Sequence, residues 1–228
     1  MPLRNAGMTN VDTGVDANPK EQSPLVLVVD DDQEVREALS ELFLSVGFEA
    51  QAFASTREVL EQMPPDRPAC LVLDVRLPGS SGLDLQNQLR ADGCAIPIVF
   101  LTAFGDVPMT VQAMKAGATD FLIKPVRDQT LLDAVAAAID GDIVRRAENA
   151  KVQKGISLLK ALTSREKQVL NLVVNGKLNK QIAYELGISE ITVKLHRSNA
   201  MKKMGTSSVA HLVRVWETLP SEMRTAET

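Results

Sequence analysis

Cysteine is nearly absent. Cys70 and Cys94 are the only two in 228 residues. That excludes a disulfide-stapled scaffold, and their spacing offers no structural zinc site. A reducing compartment fits, so a cytoplasmic chain is expected. Cys70 opens an apolar run and reads as a small packed hydrophobe. No apolar run approaches about 18 residues, so no membrane span is predicted. The first 24 residues carry Asn, Thr, Asp, Gly and Pro without an apolar core. They read as a disordered arm, with no visible signal peptide. Internal repeats and low-complexity tracts are also missing. Apolar residues, at 45%, suffice for a sizeable core, and the length allows one or two domains.

The net charge of −4 conceals an asymmetry. Residues 163–228 hold ten Lys and Arg against six Glu and no Asp, a net of +4. Residues 1–162 hold 15 basic and 23 acidic residues, a net of −8. An acidic front joined to a basic back suggests a cation-binding domain followed by one that meets a polyanion.

In the front part, four apolar runs end on functional groups. They are Val28-Val29-Asp30-Asp31-Asp32, Leu71-Val72-Leu73-Asp74, Val99-Phe100-Leu101-Thr102 and Phe121-Leu122-Ile123-Lys124-Pro125. Such runs read as buried parallel strands. A weaker strand is read at Glu49 to Phe53. Helical patterns lie between: Gln33 to Val46, with Val35, Leu39, Leu42, Phe43 and Val46 on one face; Ser55 to about Met63; a stretch ending near Arg90; and Pro108 to Ala116. This alternation predicts a doubly wound, five-stranded parallel sheet. After Pro125, Asp128 can cap a helix with Leu131, Leu132, Val135, Ile139 and Ile143 on one face. It runs on to about Lys160, with Gly141 and Gly155 as weak points.

Parallel strands deliver their C-terminal ends to one crevice. There Asp30, Asp31 and Asp32 would favour a bound cation, and oxygen donors with room for water suit magnesium. Asp74 stands alone at the end of the central strand and can act as a nucleophile on phosphorus. Thr102 can donate to a phosphoryl oxygen, and Lys124 can offset its charge.

The constellation resembles the receiver domain of bacterial two-component response regulators, over residues 25–137. The motifs are Leu27 to Asp32, Leu73-Asp74-Val75-Arg76-Leu77-Pro78-Gly79, Leu101-Thr102-Ala103 and Phe121 to Pro125. The separations also match: 43 residues from Asp31 to Asp74, 28 to Thr102 and 22 to Lys124. The resemblance implies a flavodoxin-like fold with Asp74 as phosphoacceptor. It implies Mg2+ held by Asp31, with Asp30 supporting, by Asp74 and by the Arg76 carbonyl. Thr102 and Phe121 become the switch pair, and Lys124 the phosphoryl-binding cation ahead of a cis Pro125. Phe121 stands where many relatives carry Tyr, so no hydroxyl contributes to the switch.

Residues 163–219 read as wholly helical. Thr163-Ser164-Arg165-Glu166 has capping-box form. Asn179 caps a second helix that Gly187 stops. Ser189 caps a third lasting to Gly205, and Ser208 a fourth with Leu212, Val215, Trp216 and Leu219 inward. The Gly187-Ile188-Ser189 turn gives helix-turn-helix spacing. On the third helix Val193, His196, Ala200 and Met204 should pack inward, with His196 hydrogen-bonded there. Glu190, Lys194, Arg197, Ser198 and Met201 should point out. Base edges would meet Lys194 and Arg197, and Leu195 a thymine methyl. Thr192 and Ser198 lie on the same approach, and Lys202 and Lys203 suit phosphates.

The stretches Leu162 to Glu166, Asn179 to Ala183 and Ser189 to His196 resemble the LuxR-type DNA-binding domain. The whole chain is thus similar to the NarL/FixJ family, nearest its FixJ, StyR and TodT branch. That implies an arm at 1–24, a receiver at 25–137, a linker helix at 138–161 and an all-α helix-turn-helix domain at 162–228. It implies no enzyme but a transcription regulator, more often an activator in this branch. A sensor histidine kinase would phosphorylate it, after which it would dimerise through the face of the fourth helix and fifth strand. Double-stranded promoter DNA and RNA polymerase are the implied further partners. One alternative stands beside this. Asp30-Asp31-Asp32 has the Asp-x-Asp form of haloacid-dehalogenase phosphatases, with Asp30 as nucleophile. Glu34 stands where that class expects Thr or Val.

Overall fold

The computed structural model describes residues 23–63, 65 and 67–224. The arm expected at 1–24 lies outside them, apart from Ser23 and Pro24. The chain divides after Asp140 into two compact units, 1–140 and 141–228.

In the first unit, β1 (Leu25–Val29), β2 (Glu49–Phe53), β3 (Ala69–Leu73), β4 (Ile98–Thr102) and β5 (Asp120–Ile123) form one sheet. All pairs are parallel, in the order β2-β1-β3-β4-β5. Side chains alternate across a strand, so β1 feeds two cores. Leu25, Leu27 and Val29 join Leu71, Leu73, Leu85 and Phe100 on one face. Val26 and Val28 join Phe43, Val72, Leu131 and Val135 on the other. Each such buried aliphatic side chain contributes about 1.5–3 kcal/mol before the entropy of ordering is counted.

The helices are α1 (Gln33–Ser45), α2 (Thr56–Leu60), α3 (Gly82–Ala91), α4 (Val107–Lys115) and α5 (Asp128–Lys160). Four are capped from within the strand-end loops. Asp32 accepts from Glu34 N and Val35 N, Ser55 accepts from Glu58 N, Ser81 forms a capping box with Asp84, and Asp106 accepts from Met109 N. The motif loops are therefore also helix starts.

Four expectations are corrected here. The central strands β1, β3 and β4 are fully buried, but β5 is not, and Ile123 is 52% exposed. It is an edge strand with one neighbour. Val46 and Ile143 are exposed rather than inward. Each extends its helix's apolar period past the last sheet residue it could cover. Asp128 does not cap α5. Leu131 N donates to the Arg127 carbonyl, so Asp128 sits in the first turn, where its charge suits the helix dipole. Neither Gly141 nor Gly155 interrupts α5, which runs unbroken for 33 residues.

The second unit packs the last turns of α5 with α6 (Ser164–Val174), α7 (Asn179–Leu186), α8 (Glu190–Lys203), α9 (Val209–Glu217) and α10 (Ser221–Arg224). Ile156, Leu159, Val169, Leu170, Ile182, Val193, Ala200, Leu212, Trp216 and Leu219 form its core. Gly155 is a close approach rather than a weak point: a Cβ there would lie 2.9 Å from Leu219 Cδ2. Gly187 adopts φ +64°, the left-handed turn between α7 and α8. Among the described residues no helix is long and apolar enough to cross a membrane.

Candidate functional site

Strand register builds the front pocket. Val29 pairs with Leu73, so Asp30 and Asp74 leave the sheet side by side, and Asp74 N donates to the Val29 carbonyl at 2.8 Å. Carboxylate oxygens of Asp30, Asp31 and Asp74 all lie within 4.8 Å of one another. One strand pair away, Thr102 faces Ile123, and Lys124 N donates to the Thr102 carbonyl. That register carries the Lys124 ammonium to the acids, 2.5 Å from Asp30 Oδ2 and 3.5 Å from Asp74 Oδ2. The Lys124–Pro125 peptide is cis.

These groups are shielded. The Asp30, Asp74 and Lys124 side chains are 4%, 11% and 22% exposed. Asp31 is exposed at the rim. Asp30 Oδ1 accepts from Asp32 N, and Asp74 Oδ1 from Arg76 N. Asp32 itself is spent on capping α1, so it does not join the other three as a fourth pocket acid.

The Thr102 side chain is fully buried, and its hydroxyl accepts from Phe104 N. Among the described residues it makes no hydrogen bond to Asp74 or Lys124. The Phe121 ring packs against Phe100, with centroids 5.6 Å apart. Three further features shape the pocket. The Arg76 guanidinium lies 3.7 Å from the Phe104 ring centroid, a cation–π contact across the rim. A Cβ on Gly82 would fall deep inside contact with the Asp74 carbonyl oxygen. A Cβ on Gly105 would press on Ile123 and Phe121 at 2.9–3.0 Å. Gly82 follows a Ser cap in a Pro-Gly-Ser-Ser-Gly run, the one signal that could have singled it out. Nothing in the sequence pairs Arg76 with Phe104.

In the second unit, Ser189 caps α8 by accepting from Thr192 N. Val193, Ala200 and Met204 are buried and fix the rotation of that helix. Lys194, Leu195, Ser198 and Lys202 are exposed. The remaining candidates have local partners. Arg197 donates to Asn179 Oδ1 at 3.0 Å. Lys203 Nζ lies 2.8 Å from Glu166 Oε2. The Thr192 and Ser189 hydroxyls are 2.8 Å apart.

Three expectations for these helices are corrected. Asn179 does not cap α7. Leu178 holds that position, and Gln181 Oε1 accepts from its N–H, so the Asn179 side chain is available to Arg197. Met201 packs against the core rather than pointing out. His196 is half-buried but makes no hydrogen bond among the described residues.

Glu166, read only as a capping-box residue, does more. It is buried, accepts from Thr163 N, and pairs with Lys203. The Lys203 hydrogen bond and the cap hold its carboxyl below the usual range, against the opposing effect of burial.

A family model for the response regulator receiver domain matches residues 26–136. One for bacterial regulatory proteins of the luxR family matches residues 160–216. Nodulation protein W of Bradyrhizobium diazoefficiens is 54% identical over 195 residues, 86% of each chain. The response regulator TodT of Pseudomonas putida is 44% identical over 203 residues, 89% of each. The low-resolution structure of the response regulator StyR superposes with a TM-score of 0.80 at 50% identity, covering 86% of this chain and 98% of that one. The chain belongs to the NarL/FixJ family of two-component response regulators, with a receiver domain and a LuxR-type DNA-binding domain. These are transcriptional regulators, not enzymes. The phosphatase alternative falls with that. Asp30, its supposed nucleophile, is committed to Lys124 and the Asp32 N–H.

Proposed function

We propose that Asp74 is the phosphoacceptor and that its phosphorylation switches DNA binding by the second unit. The observation that carries this is the Lys124 ammonium spanning Asp30 and Asp74 inside the acidic cluster. An Asp74 carboxylate oxygen attacks the phosphorus of a phosphohistidine. The O–P bond forms as the P–N bond breaks, and the imidazole leaves with the electron pair. Lys124 then meets the added charge, and Thr102 offers its hydroxyl after releasing Phe104 N.

The donor set is all oxygen, with three carboxylates in one cluster, and this fits a hard divalent cation. Asp30, Asp31, Asp74 and the Arg76 carbonyl would hold Mg2+, which supplies neutralisation of the phosphoryl oxygens. The donor is a sensor histidine kinase. Phe121 and the exposed Val107, Val111, Met114 and Ile123 make α4 and β5 the dimer face. The phosphorylated dimer binds promoter DNA through Thr192, Lys194, Leu195, Arg197, Ser198, Lys202 and Lys203. It activates transcription through RNA polymerase.

Labelling with a radioactive phosphodonor tests the acceptor. Asp74→Asn should abolish label and leave the fold intact, and Asp31→Ala should cut magnesium affinity and labelling together. Label at the wild-type rate in Asp74→Asn would sink the assignment. Sedimentation before and after phosphorylation tests the dimer, and an unchanged monomer fraction would count against it.

A further inference from the structure

We propose that Ile191 and Leu195 form an apolar pair that reads thymine methyl groups, so that two thymines per half-site carry much of the sequence preference. This rests on the DNA-binding role of the second unit and adds what it selects.

Ile191 is 80% exposed and Leu195 58% exposed. They stand four residues apart on α8, one turn above the other on the same side. Val193, Ala200 and Met204 already bury the opposite side, so neither residue has a core to fill. Both lie in the N-terminal half of the second helix of the helix-turn-helix, the part that meets base edges.

Two of the basic side chains on this helix are engaged. Arg197 holds Asn179 and Lys203 holds Glu166. The Thr192 hydroxyl lies against Ser189. Lys194 and Lys202 are exposed on the same helix, and Lys180 is exposed on α7. Residues 163–216 carry nine Lys and Arg against three Glu, a net of +6. An apolar patch inside a cationic surface matches the major groove, where phosphates flank the bases. The thymine C5-methyl is the apolar group on those base edges. Removing one methyl from such a contact should weaken binding about four-fold.

The test uses the full-length chain treated with acetyl phosphate. Selection from a random duplex pool supplies the site, and each thymine in it is then replaced by deoxyuridine, which removes only the methyl. The wild-type chain should lose about four-fold at each of two positions per half-site. Ile191→Ser should become indifferent to deoxyuridine at one of them, and Leu195→Ser at the other, each keeping the second response. Ile191→Ala should show a partial response at its position. Indifference of the wild-type chain to every replacement would overturn the proposal, as would a selected site without thymine. So would variants that keep both responses. If selection enriches no sequence at all, the DNA-binding reading fails, and this one with it.

Discussion

The two candidate sites put their charge to opposite use. In the receiver pocket the reactive groups are shielded and bound to one another: Asp30 to Lys124 and the Asp32 N–H, Asp74 to the Arg76 N–H. On α8, Lys194, Leu195 and Lys202 stand in solvent, while the engaged Arg197 and Lys203 hold the helix to its neighbours. A pocket made by sheet register has little slack, so single changes there should be large. A helix face reads its ligand through separate contacts, so single changes there should be modest. Within the second unit, the same division separates Lys194, Leu195 and Lys202, which would meet the ligand directly, from Arg197 and Lys203, which would reach it only by giving up a partner.

Gly82→Ala should show the largest effect. Its Cβ would be driven into the Asp74 carbonyl, which is backbone and cannot swing away. Overpacking of this kind should cost about 3 kcal/mol and lower the phosphorylation rate with it. Trp216 is the only tryptophan and lies in the second core. In urea, the far-ultraviolet dichroism transition should shift while Trp216 fluorescence stays in place. If Trp216 moves equally, the contrast between two separate units breaks.

Glu166→Gln comes next. It leaves Lys203 without its charge partner, although Lys203 is 39% exposed and water softens the loss. The Trp216 transition should fall by about 1 kcal/mol at neutral pH. The folded pKa of Glu166 lies below its ordinary 4.5. Its stabilising contribution is therefore full above about pH 4.5 and is lost as pH falls through the lowered folded value. The wild-type Trp216 transition should weaken across that acid range, and the variant should lack that part of the slope.

Gly105→Ala should cost less, about 1 kcal/mol, because its added methyl meets side-chain atoms of the half-exposed Ile123 and of Phe121 rather than backbone. Its effect should appear instead in sedimentation, as an altered dimer response to phosphodonor. An unaltered response would remove Phe121 from the switch.

The smallest effects separate the two terminal lysines of α8. Lys202→Ala should leave the Trp216 transition within about 0.5 kcal/mol of wild type and lower the salt slope of DNA binding by about one unit. Lys203→Ala should instead lower the transition, by leaving buried Glu166 uncompensated. Equal behaviour of the two would erase the distinction between the paired and the unpaired lysine.

The parallel sheet and the strand-end acids were legible in the sequence, because an apolar run must be buried and its end must leave the sheet. The NarL/FixJ membership was legible for the same reason, since its motifs sit at those strand ends and caps. What periodicity could not supply was where cover stops and where long side chains reach. Val46 and Ile143 keep the helical period yet find nothing to cover them. Arg197 and Lys203 look alike in a charge stripe, but Asn179 and Glu166 lie on other helices and capture them. Asn179 was misread as a cap because its preference for that role is real. Its neighbour Leu178 took the position once Gln181 could serve the N–H. The Arg76–Phe104 stack joins two loops that only the folded sheet brings together.

The contact between Gly155 and Leu219 has a topological consequence. It brings the last turns of α5 against the last residue of the second core, so the segment between them forms a closed loop of chain. A module whose ends meet can be re-threaded. Joining residue 219 back to residue 155 through a short spacer, and opening the chain at the exposed Lys177-Leu178 turn, should give a circular permutant with the same core.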